Sequence, residues 1–188
     1  DGAVKKGSEI DYNGAPGGYA ADPTEVVNYV SKHDNQTLWD MITYKAAQQA
    51  DLNTRVRMQA VSLATVMLGQ GIAFDQQGSE LLRSKSFTRD SYDSGDWFNR
   101  VDYAMQDNNF NVGMPRISDD GSNYDVISRV KEMVATPGEA ELKQMTAFYR
   151  ELTELRKSSP LFTLGDGSAV MKRVDFRNTG PDQQAGLL

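Results

Sequence analysis

The sequence predicts an α/β chain built on parallel strands, giving way near its end to all-β structure. Three observations predict it. Val26, Val27, Tyr29 and Val30 form a β-branched and aromatic run, interrupted only by Asn28, that suits a strand buried on both faces. A second short apolar run, Gly71-Ile72-Ala73-Phe74, follows a helical pattern, and strand–helix–strand with apolar strands argues for a parallel sheet or barrel. Beyond Pro160 the period drops to two: Val170, Lys172, Val174 and Phe176 alternate with Met171, Arg173 and Asp175.

The elements follow in order. Residues 1–21 are rich in Gly, Asp and Asn and read as a surface loop, with Pro16-Gly17-Gly18 as a turn. The first strand ends abruptly in Ser31, Lys32, His33, Asp34, Asn35 and Gln36. A charged cluster leaving the C-terminal end of a buried parallel strand, just before a helix, lies where α/β folds place their chemistry. The other reading of this triplet is a loop whose Asp and Asn bond nearby backbone amides. Leu38, Met41, Ile42 and Ala46 then predict a short helix over 38–50. Val56, Ala60, Val61 and Ala64 predict a longer one over 51–68, with Asn53 or Thr54 as cap and Gly69 as stop.

From Gln76 to Asn123 helical period is almost absent, and aromatics and acids dominate. Long loops in compact domains are usually functional. Aromatic faces beside carboxylates and amides grip sugars by stacking and hydrogen bonding, although buried aromatic anchors also tie loops down. Residues 124–134 read as a modest helix. Thr136-Pro137-Gly138-Glu139 predicts the start of a strong helix, with Thr136 as cap, Pro137 first and Glu139 closing a capping box. Its apolar stripe runs through Leu142, Met145, Tyr149 and Leu152 to a stop at Ser158-Ser159-Pro160. Arg177 to Asp182 then reads as a turn and Gln183 to Leu188 as a returning strand.

The chain has 188 residues, 39% hydrophobic and 24% charged, an ordinary globular composition. A net charge of -6 leaves no basic footprint for nucleic acid. There is no cysteine, which excludes disulfides, thiolate metal sites and cysteine nucleophiles. With a single histidine, no transition-metal spacing is visible. No apolar run approaches the roughly 20 residues of a membrane span. The first residues lack the apolar centre of a signal peptide and read as the interior of a loop.

Three stretches carry a resemblance. NYVSKHDNQTLWD resembles the strand-seven motif of the α-amylase superfamily of glycoside hydrolases, in the form seen in bacterial pullulanases (type I). GIAFDQQGSELLRSK resembles strand eight and its loop, with Gly78, Glu80, Leu82 and Arg83 in the expected places, and SFTRDSYDSGDWFNRVDY is similar to the loop that follows. The resemblance implies that residues 1–160 are the C-terminal part of a (β/α)8 barrel, strands seven and eight with their helices. Residues 161–188 would begin an all-β C-terminal sandwich domain.

It further implies a debranching activity, hydrolysing α-1,6 linkages in pullulan and branched α-glucans with retention. Asp34 would be the carboxylate that stabilises the transition state electrostatically. His33 and Asn35 would bind sugar, and Asp90, Asp93 and Asn99 are further candidate sugar contacts. A retaining glycosidase also needs a carboxylate nucleophile and an acid/base roughly 5 Å apart. No stretch here matches either motif, so both are expected on an upstream remainder of the same enzyme, which makes this chain a fragment, inactive alone. No cofactor is expected in the chain, with room for calcium in the complete enzyme, and a bacterial secreted or cell-surface location is implied. Isoamylase-like or other α-glucan hydrolysis, or a non-catalytic glucan-binding module, are the alternatives.

Overall fold

The computed structural model describes residues 2–187. Its regular structure is mostly helical: α1 (Leu38–Lys45), α2 (Leu52–Met67), α3 (Asp96–Asn99), α4 (Ile117–Asp120), α5 (Tyr124–Met133), α6 (Glu139–Ser158) and α7 (Gly167–Arg173). Strand amounts to 4%, in two small sheets: β1 (Asp11–Tyr12) with β2 (Ala15–Pro16), and β3 (Val27–Asn28) with β4 (Ile72–Ala73). The chain divides into two compact units, one of Asp1–Val27, Gln70–Ile72 and Pro160–Leu188, the other of Asn28–Gly69 and Ala73–Ser159.

The second unit holds the core. Leu38 and Trp39 of α1, Val56, Leu63 and Met67 of α2, Ile127 of α5, and Leu142, Met145 and Leu152 of α6 are buried together. Leu82, Phe87 and Phe110 join them from the long irregular stretch. Thr37 caps α1 by accepting the Asp40 N–H at 3.2 Å. Asp51, rather than Asn53 or Thr54, caps α2 by accepting the Thr54 N–H at 2.7 Å. The buried Arg55 guanidinium donates to the carbonyls of Ile42, Ala47 and Ala50, satisfying the end of α1 and the turn after it. Helix α6 begins two residues later than Pro137 predicts, with the Glu141 carboxylate accepting the Gly138 N–H at 2.9 Å. It stops at Ser158, as the Ser-Ser-Pro sequence predicts.

Residues 76–123 replace sheet and helix ladders with side-chain bonds to backbone, which buried polar backbone requires. The Asn108 amide donates to the Leu82 carbonyl at 2.7 Å, and the Asn109 amide to those of Phe98 and Arg100 at 3.0 and 2.9 Å. The Asp102 carboxylate accepts the N–H groups of Ala104, Gln106 and Asp107. Gly78 has φ +94°, and a Cβ there would lie 2.7 Å from the Arg83 side chain, so the turn has room only for glycine.

In the first unit, Asn13 and Gly14, both at positive φ, turn β1 into antiparallel β2 with Tyr12 opposite Ala15. This two-residue hairpin carries the Asn-Gly signal. The sequence reads as plain loop because no alternating apolar residues flank that signal. The Asp22 carboxylate accepts the Gly167 N–H at 2.7 Å, and the Gln70 amide bridges Leu161 and Leu164.

Two expectations are overturned. The chain is not the end of a barrel followed by the start of a sandwich. The strands at 27–28 and 72–73 sit where the sequence predicts strands, but each has two residues. Val27, Tyr29, Ile72 and Phe74 are about half exposed, at 49–50%, rather than buried on both faces. The alternating stretch at 170–176 is largely helical: Asp166 accepts the Ala169 N–H at 2.8 Å and starts α7. A good cap outweighs a two-residue period over so short a segment. Residues 183–187 form no strand, and Leu188 lies outside the described residues.

Candidate functional site

The polar turn after β3 is the centre of the candidate site. Asn35 has φ +63°, a left-handed conformation that asparagine tolerates better than most residues, and it reverses the chain between Asp34 and Gln36. The Asp34 carboxylate bonds the Lys32 ammonium through Oδ2, while Oδ1 lies 3.5 Å from His33 Nε2. The Lys32 hydrogen bond, and then the charges of His33, Lys32 and Lys85, hold its carboxyl below the usual carboxylate range. Both side chains face solvent, His33 85% exposed and Asp34 59%.

The structure brings four of the six predicted residues into one neighbourhood. An open cleft of about 770 Å³ is lined by Tyr29, Lys32, Asp34, Asn35, Tyr44 and Arg89, among others. A second, of about 310 Å³, is lined by Asp34, Asn35, Arg89, Asp90 and Asp119. His33 is adjacent in the turn. Arg89 Nη2 donates to Asn35 Oδ1 at 3.3 Å, so the two clefts share a bonded pair as well as Asp34.

Asp93 and Asn99 lie outside both clefts. Asp93 pairs with Arg116 at 2.7 Å, which also pairs with Asp119 at 2.7 Å. Asn99 works inside its own loop: Oδ1 accepts the Ser91 hydroxyl at 2.7 Å and Nδ2 donates to the Ser91 carbonyl at 2.5 Å. Asn99→Ala therefore removes the partners of the largely buried Ser91, at a cost of about 1–3 kcal/mol in stability. A urea unfolding midpoint that did not move would contradict this role.

Sequence reasoning missed Arg89, Lys85 and Asp40. Asp40 carried a weak signal, being an acid in the first turn of a predicted helix; Lys85 and Arg89 carried none, since their partners are more than forty residues away. Among the described residues no group of three or more His, Cys, Asp or Glu side chains could hold a metal ion. Among the described residues no helix is long and apolar enough to cross a membrane.

The chain is 94% identical along its full length to a pullulanase of Klebsiella pneumoniae, covering 17% of that protein. Along its whole length the chain matches a segment of pullulanases. It is also 40% identical to the chloroplastic pullulanase 1 of Arabidopsis thaliana over 190 aligned positions, all of this chain and 20% of that one. The crystal structure of Klebsiella pneumoniae pullulanase complexed with maltotriose superposes on 99% of the chain with a TM-score of 0.95 and 90% identity, covering 18% of that structure. The chain thus spans about a sixth of the length of the Klebsiella pullulanase it matches. Residues 105–188 match the family model described as "Alpha-1,6-glucosidases, pullulanase-type, C-terminal".

Proposed function

We propose that this chain serves within a debranching glycoside hydrolase that cleaves α-1,6-glucosidic linkages in pullulan and branched α-glucans, with retention. The full-length match at 94% identity carries the reading, because it extends through the turn and loops that line the clefts. Asp34 supplies negative charge beside the reacting sugar as positive charge develops at its ring, an interaction stronger in the transition state than in the ground state. His33 donates a hydrogen bond to a hydroxyl of the same ring. Asn35, with Arg89 behind it, and Asp90 line the adjacent sugar position; Asp93 supports them through Arg116 and Asp119.

The nucleophile and the acid/base belong to the remainder of the longer protein, as does any calcium, and no cofactor is held by this chain. The half-exposed apolar side chains of Val27, Tyr29, Ile72 and Phe74 are surface which that remainder covers. Secretion or display at the cell surface belongs to the same proposal, on the resemblance to bacterial pullulanases.

The test is product analysis of pullulan treated with the full-length protein. Pullulan is maltotriose joined through α-1,6 bonds, so maltotriose is the expected product. Cleavage of glycogen branches with pullulan left intact would replace the reading by an isoamylase-like one. Binding without cleavage would leave only a glucan-binding role. Asp90→Ala in the same protein weakens inhibition by a branched maltooligosaccharide by about 1–3 kcal/mol if the contact is desolvated. Unchanged inhibition would remove Asp90 from the site.

A further inference from the structure

We propose that Lys85 is a positioning residue, which fixes the His33–Asp34 turn from beneath and is itself held by the buried carboxylate of Asp40. The proposal rests on the sugar-binding role given to that turn above. Asp40 is completely buried in the first turn of α1. Its Oδ1 accepts the Ser84 hydroxyl at 2.5 Å, and its Oδ2 accepts the N–H groups of Lys85 at 2.9 Å and Phe87 at 3.2 Å. One carboxylate therefore gathers three donors from four consecutive residues. It does so where the backbone is bent hard, since Ser86 and Phe87 have φ of +50° and +70°. Such conformations persist only where surrounding bonds impose them.

The loop so fixed presents one long side chain towards the site. Lys85 is 2% exposed, and its ammonium donates to the backbone carbonyl of His33 at 2.9 Å. Burying an ammonium is unfavourable unless carboxylates and acceptors compensate it. The compensating charges are Asp40, Asp90 and Asp34, all of which act on Lys85. Lys85 thus links a structural carboxylate, which accepts its backbone N–H, to the neighbour of the proposed catalytic one, since its ammonium bonds His33. His33 and Asp34 are largely solvent-exposed side chains on a turn with few bonds of its own. Among the bonds of the described residues, the one from Lys85 is what fixes the His33 carbonyl, and a misplacement of about 1 Å can cost on the order of 10²-fold in rate.

The experiment is a double-mutant cycle in the full-length protein, with Lys85→Met and His33→Ala assayed singly and together on pullulan. Lys85→Met keeps the apolar stem and removes the charge and the donor. The expected result is a fall in kcat of about 10²-fold with KM changed less than about threefold. The double variant should fall within about threefold of the slower single variant, because both changes spoil the same contact. Multiplicative losses, or an unchanged kcat in Lys85→Met, would overturn the proposal while leaving the role of His33 standing. A harmless His33→Ala would instead overturn the reading of the turn itself. Lys85→Gln, which keeps a shorter donor, is carried through the same cycle and should recover part of kcat. If neither Lys85 variant yields folded enzyme by its melting midpoint, Lys85 is a folding residue and the proposal fails.

Discussion

Asp34→Asn in the full-length protein is expected to lower kcat roughly 10³-fold or more, because it removes a full charge from beside the developing oxocarbenium centre. The fold should not notice. Asp34 is more than half exposed, and its partners are the side chains of Lys32 and His33 in the same turn. A surface substitution with no buried partner changes stability by no more than about 0.5 kcal/mol. An interaction made in the transition state is lost from kcat and kcat/KM alike. The neighbouring cations keep Asp34 ionised below the usual carboxylate range, so its contribution persists into mild acid and disappears only as pH falls through that lowered value. Retention of most activity by folded Asp34→Asn would remove it from the chemistry.

The second large effect concerns the chain alone. Residues 1–188, purified as the 20.8 kDa polypeptide, should release no reducing sugar from pullulan. The role proposed for Asp34 is electrostatic, but attack at the anomeric carbon and protonation of the leaving oxygen need two further carboxyl groups, spaced roughly 5 Å apart in a retaining enzyme. Neither is assigned to this chain. The β3–β4 pair also has only two strands, each two residues long, with apolar side chains half exposed on it. Such a pair is marginal by itself. Adding the remaining polypeptide as a second chain should restore turnover where the two associate before aggregating. Turnover by the 188-residue chain alone, abolished by Asp34→Asn, would mean that a nucleophile and an acid lie within it.

Much of the helical content was legible, because amphipathic stripes of the length of α2 and α6 outlast local ambiguity. Their starts were less so: Asp51 and Gly138 begin the helices, although Asn53 or Thr54 and Thr136 are also good capping residues. Sheet content was over-read. A run such as Val26–Val30 has the residues of a buried strand, yet burial needs neighbours that local sequence does not describe. At 166–173 a single capping Asp turned an alternating stretch into a helix. In the site, the His33-Asp34-Asn35 turn stood out because abrupt polarity after an apolar run is a local signal. The bonds that organise it, from Lys85 to His33 and from Arg89 to Asn35, span more than fifty residues and leave no pattern in the chain. Asn99 shows the opposite limit: its residue type fits a sugar contact, and its partners in the structure are those of a loop clasp.

The central claim is that Asp34 stabilises the transition state more than it binds sugar. Calorimetric titration of maltotriose into full-length wild type and Asp34→Asn, set beside their kcat/KM on pullulan, tests it directly. The account predicts that kcat/KM falls roughly 10³-fold or more while maltotriose affinity changes by less than about tenfold. Equal losses in both would make Asp34 a binding residue only, and no loss in either would take the turn out of the site.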